Sequence, residues 1–171
     1  GFYSVRLLDD DIQVDLTAST RGGFHRYQFP KTAEAHVIFD LTSGIYNYEG
    51  KTLWSSLRKV NDSTFVGYRL VNGWAKERYL YFAMVFSKKV ASYRFVDEDK
   101  PVYRGFWRKA SYEANFPEKS CRKLKAHFDF NTQDGSPVLV KFALSPVSTK
   151  NALENLDEIP HWNFDQVVKD A

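Results

Sequence analysis

The segment Gly67-Tyr68-Arg69-Leu70-Val71-Asn72-Gly73-Trp74-Ala75 carries the residue types best suited to holding a ligand. A tryptophan directly after a glycine turn is presented at a loop tip or a sheet edge. There an indole can stack on the apolar face of a sugar and exclude water. Arg69 and Asn72 can donate hydrogen bonds to sugar hydroxyls. The competing arrangement is that Trp74 folds back as a plug of the core, and spacing alone favours it.

Other chemistry is sparse. There is no metal-spaced Cys/His cluster, no glycine-rich phosphate loop and no Gly-x-Ser-x-Gly elbow. Cys121 stands alone, and a nucleophilic thiol needs a partner base. The four histidines are His25, His36, His127 and His161, and no two are spaced i, i+4. His25, beside Arg26 in an aromatic strand, reads as a hydrogen-bonded strand residue. Paired carboxylates would suggest glycoside hydrolysis. However, Asp9/Asp10/Asp11, Asp97/Glu98/Asp99 and Asp157/Glu158 all sit where turns or helix ends are expected.

Composition narrows the class. The 171 residues include 14 Phe, 10 Tyr and 4 Trp but a single Cys, which excludes disorder and a disulfide scaffold. Length fits one domain. The net charge is +3 with interleaved signs, so no basic stripe for nucleic acid is present. No apolar stretch approaches the ~20 residues of a membrane-spanning helix.

The dominant hydrophobic period is two, which means strands. Residues 11–18 alternate cleanly, after a turn at 9–11 that leads from a strand at 3–8. Gly22-Gly23 breaks the pattern before a strand at 24–29. Residues 35–41 form a short apolar run expected to be buried on both faces. Strands at 53–60 and 64–71 flank Asn61-Asp62-Ser63 as a hairpin, and Asn72-Gly73 marks the next turn. Residues 78–86 and a strand running through Phe95 follow. A charged loop at 97–101, a strand at 103–107 and an irregular stretch at 108–120 come next. The densest basic stretch, residues 121–125, alternates like a strand. Two alternating runs, 124–130 and 138–144, flank Asp134-Gly135 as the clearest hairpin signal. The tail changes period. Ser148 is a helix cap, Pro160 ends that helix, and Asn163 caps a second one with Trp162 and Val167 placed for a hydrophobic staple. About ten short strands separated by turns predict a mostly β fold, an antiparallel β-sandwich over residues 1–147, followed by a short C-terminal helical linker over 148–171.

Three stretches of this sequence resemble glycoside hydrolase family 92, the calcium-dependent exo-α-mannosidases. The first is Leu16-Thr17-Ala18-Ser19-Thr20-Arg21-Gly22-Gly23-Phe24-His25-Arg26-Tyr27-Gln28-Phe29-Pro30. It is similar to the family's Leu-Thr-Ala-Thr, Arg, Gly and His-Arg-Tyr-Thr-Phe-Pro run. The second is Gly67-Tyr68-Arg69 with Gly73-Trp74-Ala75. The third runs from Pro137 to Ser148 and on through Ala152, Asn155-Leu156 and Ile159-Pro160-His161-Trp162-Asn163-Phe164-Asp165. The resemblance implies an inverting exo-α-mannosidase acting on terminal α-mannosides of glycans, for example α-1,2-linked ones. It implies an N-terminal β-sandwich joined to a C-terminal helical barrel. The barrel would supply catalytic acid, base and calcium ligands, so no catalytic or metal residue is expected in this chain. Arg69, Gly73 and Trp74 would then belong to the rim of the sugar site. Leu70-Val71-Asn72 departs from the small polar residues usual before the Gly-Trp pair. Family Gly- and His-rich motifs found upstream do not occur here, and both ends of the sequence read as cut. Residues 1–171 thus resemble the later part of the sandwich plus the first linker helix of a secreted or periplasmic bacterial enzyme. A stand-alone carbohydrate-binding sandwich is the alternative, and a purely structural domain holding the barrel is a third.

Overall fold

Alternating apolar and polar side chains suit extended chain, because a strand sends successive side chains to opposite faces. The computed structural model describes residues 1–99 and 117–171. Among them are eleven strands: β1 (Phe2–Leu7), β2 (Ile12–Ala18), β3 (Gly22–Gln28), β4 (Ala35–Asp40), β5 (Thr52–Lys59), β6 (Thr64–Val71), β7 (Arg78–Phe86), β8 (Ser92–Asp97), β9 (Glu118–Cys121), β10 (Leu124–Phe130) and β11 (Val138–Ser145). Two short helices, α1 (Thr149–Asn155) and α2 (Phe164–Asp170), flank a 3-10 turn at Leu156–Glu158. Among the described residues no helix is long and apolar enough to cross a membrane.

Eight strands make one antiparallel sheet in the order β1-β2-β3-β11-β7-β6-β5-β9, and three make a second, β4-β10-β8. The two pack face to face as a β-sandwich. Phe65 of the large sheet lies 4.6 Å from the Phe128 ring, 5.4 Å from Tyr93 and 6.4 Å from Phe95, all on the small sheet. Leu124, Ala126, Phe128 and Phe130 are fully buried along one face of β10. Gly67 sits mid-strand in β6 of the large sheet, paired with Leu57 of β5 and Phe82 of β7. A Cβ there would overlap the Ser56 carbonyl oxygen and come within 2.7 Å of the Phe82 ring.

Several sequence expectations are corrected. The runs 124–130 and 138–144 are not a hairpin, since β10 belongs to the small sheet and β11 to the large one. Gly135 does turn in the left-handed region, at φ 73°. But the connection is tied to residues 30–32 instead of folding β11 back on β10. Thr132 donates its N–H to the Thr32 carbonyl (2.8 Å) and its hydroxyl to the Pro30 carbonyl (2.9 Å). Each strand thereby puts its apolar face into the one core from opposite sides. Residues 121–125 are not one strand, because β9 ends at Cys121 and β10 begins at Leu124 after a turn between the sheets. Residues 118–120, expected to be irregular, pair in β9 with β5. Gly22 and Gly23 open β3. Residues 35–41 are not buried on both faces: β4 is a sheet edge with Ile38 52% exposed. The strand expected at 103–107 lies outside the described residues.

The tail folds as capped helices. Ser148 Oγ accepts from Asn151 N–H and Asn163 Oδ1 from Gln166 N–H, each at 3.1 Å. Both helices lie on the outer face of the large sheet. Ala152 packs on Val66 and Ala83, while Ile159, Phe164 and Val167 pack on Phe24. Glu158 fastens the turn between them, accepting from Ser19 Oγ (2.8 Å), Arg21 N–H (2.9 Å) and the Arg21 guanidinium (2.6 Å). Trp162 lies against Phe24, and the Lys141 ammonium stands 4.4 Å from its ring centroid.

Two outcomes follow from this packing. Gly67→Ala is expected to cost about 3 kcal/mol, because the backbone of β5 must move to admit a methyl group; urea denaturation measures it. On the inner face of β3, His25 Nδ1 lies 2.8 Å from the Tyr27 hydroxyl. Burial lowers the His25 pKa and pushes Tyr27 up to about 12. A histidine lowered in the folded state binds fewer protons than in the unfolded chain. Stability is therefore full above the unfolded value of about 6.5 and falls as pH drops through it. Burial and the nearby charge of Arg94 lower His127 in the same way. Urea midpoints at pH 7.5, 6.5 and 5.5 should decline, and His25→Gln should make the decline shallower. An unchanged slope in the variant rejects the assignment to His25.

Candidate functional site

Two connections meet at one end of the large sheet. Residues 41–51 carry the chain from β4 across to β5, and residues 72–77 join β6 to β7. The first makes sharp turns, with Tyr46 at φ 53° and Gly50 at φ 81°. The Lys51 ammonium stabilises these turns by donating to the carbonyls of Ile45 and Tyr46. The two loops are bonded to each other. Asn72 N–H donates to the Lys51 carbonyl (2.8 Å), and the Tyr48 hydroxyl donates to the Asn72 carbonyl (3.1 Å).

Between them lies an open cleft of about 650 Å³ lined by Tyr46, Tyr48, Lys51, Gly73, Trp74 and Arg78, among others. Trp74 is fully exposed and Tyr46 is 88% exposed, so the indole does not fold back into the core. Gly73 has neither a positive φ nor a neighbour within reach of an added Cβ. Its N–H donates to the Ala75 carbonyl at 3.0 Å, closing the turn that holds Trp74 out.

Arg69 lies behind the cleft and does not line it. Its guanidinium donates to Thr52 Oγ1 (2.7 and 3.1 Å), the Thr42 carbonyl (3.1 Å) and the Ser43 carbonyl (2.5 Å). Burial lowers its pKa and Asp40 opposes that shift; the group stays a cation. Asp40 holds the same segment from the other side. It accepts from the Thr42 N–H (2.7 Å), the Thr42 hydroxyl (2.6 Å) and the Ser43 hydroxyl (2.8 Å). Burial would raise the Asp40 carboxyl, but these bonds and the Lys125 charge outweigh it and hold it at about 2. A β-bulge between Thr52 and Trp54 accompanies the turn of Thr52 toward Arg69. The role of Arg69 in this geometry is to anchor the base of the 41–51 loop.

The exposed aromatic rings suit stacking on the apolar face of a sugar, while Arg78 and the Lys51 ammonium, which already bonds the Ile45 and Tyr46 carbonyls, give the lining a positive charge. Acid–base chemistry is another matter. Among the described residues no carboxylate lines the cleft. The carboxylates singled out in the sequence lie elsewhere. Asp9, Asp10 and Asp11 are exposed at the β1–β2 turn, and Glu158 is engaged by Ser19 and Arg21. Cys121 is buried, and that burial together with Asp97 pushes its thiol up to about 12, far from a neutral-pH thiolate. No three His, Cys, Asp or Glu residues among the described ones gather as a metal cage. These residues therefore do not fit a calcium site by themselves.

Sequence reasoning singled out Trp74 and Gly73 but missed Tyr46 and Tyr48. The available signal was Tyr46-Asn47-Tyr48 set between Gly44 and Gly50, an aromatic pair with no apolar period around it.

Residues 1–145 match the glycosyl hydrolase family 92 N-terminal domain. Among solved structures, a family 92 α-mannosidase from Bacteroides thetaiotaomicron is 36% identical and superposes with a TM-score of 0.80, covering 97% of this chain and 22% of that one. The same enzyme in complex with mannoimidazole gives the same identity and TM-score over 97% of this chain and 21% of its own. A family 92 inverting mannosidase from Bacteroides thetaiotaomicron VPI-5482 shares the fold, with a TM-score of 0.71 at 22% identity over 92% of this chain and 19% of that one. No curated protein sequence matches the chain. The chain spans about a fifth of the length of these solved mannosidase chains. With a domain match over residues 1–145 and this shared sandwich, the chain belongs to glycosyl hydrolase family 92, as its N-terminal domain.

Proposed function

We propose that this domain works as part of an exo-acting, inverting α-mannosidase that removes terminal α-mannosides, for example α-1,2-linked ones, from glycans. The domain supports a C-terminal helical barrel of the same polypeptide and lends its loops to the rim of the sugar site. The observation that carries this reading is the fully exposed Trp74 in an aromatic cleft that no carboxylate lines among the described residues. Such a cleft can grip a sugar but needs another element for proton transfer. The 36% identity to an enzyme described as an α-mannosidase supports the substrate class.

In inverting hydrolysis one carboxylic acid protonates the leaving oxygen while a second carboxylate activates water on the opposite face of the ring. Both belong to the barrel in this reading. Calcium, held there as well, would supply a fixed positive charge for sugar hydroxyls. The residues of this chain would do the positioning. Trp74 and Tyr46 offer apolar walls, Lys51 and Arg69 hold the Tyr46–Tyr48 loop in place, and the Gly73 N–H, bonded to the Ala75 carbonyl, closes the turn that presents Trp74. Export to the periplasm or medium of a bacterium fits the same family reading.

A second reading is favoured by one specific feature: the cleft is already formed in this chain. A carbohydrate-binding sandwich would bind mannose or mannobiose without any barrel. Titration calorimetry on residues 1–171 separates the two. No heat is expected from the isolated domain, whereas binding abolished by Trp74→Ala would favour the module.

For the enzyme reading, the intact polypeptide should release mannose from an α-1,2-mannobiose substrate and lose that activity on calcium chelation. Residues 1–171 alone should release none. Trp74→Ala in the intact polypeptide should lower kcat/KM about tenfold, the equivalent of losing ~1.4 kcal/mol of stacking. Mannose release by residues 1–171 alone would reject the proposed division of labour.

A further inference from the structure

The 41–51 connection borders two spaces. Tyr48 lines the Trp74 cleft and also a second open hollow of about 580 Å³. Thr42, Asn47, Glu49, Thr52, Glu98 and Lys123 supply most of the rest of that second lining. The two spaces differ in chemistry. The first offers exposed rings and cations. The second offers an amide, hydroxyls, carboxylates and an ammonium beside one tyrosine. The Tyr48 hydroxyl donates to the Asn72 carbonyl (3.1 Å), which holds the residue in place between the two.

Much of the charge in the second hollow is already compensated. Glu98 lies 2.8 Å from the Lys125 ammonium, and Lys123 lies 2.8 Å from Asp99. The Thr42 hydroxyl donates to Asp40 (2.6 Å). These groups make a fixed polar wall. Three others are open to a ligand. Thr52 Oγ1 accepts from the Arg69 guanidinium at 2.7 and 3.1 Å, which leaves its own proton to donate. The Asn47 amide and the Glu49 carboxylate are exposed and make no hydrogen bond among the described residues.

This set selects its ligand. A polyol suits it, because each sugar hydroxyl both donates and accepts. An anion would meet the uncompensated charge of Glu49. A cation would find one free carboxylate, since Glu98 is taken, and no metal cage forms among the described residues.

We propose that the hollow behind Tyr48 is a second sugar subsite for a neutral unit of the same glycan chain that lies against Trp74. It rests on the reading of the Trp74 cleft as a sugar rim, and it adds a preference for length. Chains that reach past Tyr48 are favoured over disaccharides. Binding energy from the remote unit lowers KM and so raises kcat/KM, with no change at the reacting bond.

The test compares initial rates of the intact polypeptide on α-1,2-mannobiose and on linear α-1,2-mannotetraose. The readout is the ratio of the two kcat/KM values. In the unmodified protein the tetraose should be favoured by about fivefold or more, the worth of one or two net hydrogen bonds. The double variant Asn47→Ala/Glu49→Ala changes two exposed side chains, so the fold is retained. It should bring the ratio close to one by raising KM for the tetraose. Equal kcat/KM for both sugars in the unmodified protein overturns the proposal. So does a ratio that the double variant leaves unchanged, or a loss that falls in kcat instead of KM. Trp74→Ala separates the two levels of failure. If it lowers kcat/KM on both sugars while the double variant leaves the ratio untouched, the rim reading stands and the subsite alone is rejected. If Trp74→Ala lowers neither, the rim reading fails and the subsite falls with it.

Discussion

The contact between Phe65 and Phe128 holds this structure together. Their rings lie 4.6 Å apart across the two sheets, and Phe86, Tyr93 and Phe95 close around them. That aromatic cluster sets the separation between the layers. The 41–51 connection must span the same separation, since it leaves β4 in one layer and enters β5 in the other. Asp40 at the end of β4 and Arg69 on β6 then hold Thr42 and Ser43 from the two sides. The cleft wall formed by Tyr46 and Tyr48 is thus fixed by packing some distance away. Without the ring cluster, Asp40 and Arg69 would not converge on one segment.

The large sheet serves two partners. Its inner face takes the small sheet, and its outer face takes α1, the 3-10 turn and α2. Val66 and Ala83 are small enough to let α1 settle close, while Phe24 offers a broad surface to Ile159, Phe164 and Val167. The outer contacts are partly ionic. Arg26 bonds both Asp15 (2.9 Å) and Asp165 (3.0 Å) and lies over the Phe164 ring. The helical tail is a docked layer of the domain and not a loose tether.

Much of this was legible in the sequence. Strand periods at 11–18, 53–60, 64–71 and 78–86 lie within a residue of the observed elements, because each is a strand-forming run bounded by turn residues. The helix caps at Ser148 and Asn163 were legible for the same local reason. What was not legible was partner choice. The Asp134-Gly135 signal correctly marks a turn, yet period and turn chemistry are silent about which sheet the next strand joins. Two alternating strands can meet as a hairpin or as opposite walls of one core, and the apolar pattern is identical. The candidate site was half legible. Trp74 follows a recognisable turn, whereas Tyr46 and Tyr48 lie in a loop whose shape depends on Arg69, Asp40 and Lys51. Arg69 itself carries the right chemistry for a ligand contact but is engaged by the backbone of its own neighbours.

The bonds between the two loops have an entropic consequence. The Tyr48 ring is already tethered through Asn72, and the 41–51 segment is pinned at its base and at Lys51. Trp74, by contrast, touches little and keeps its rotamer freedom. Whatever settles into the cleft meets one wall that is preorganised and one that must be immobilised, at about 1 kcal/mol for a side chain of this kind. The ordering cost of recognition is thereby concentrated in a single indole, and the opposing wall contributes its contact area with little further loss of motion.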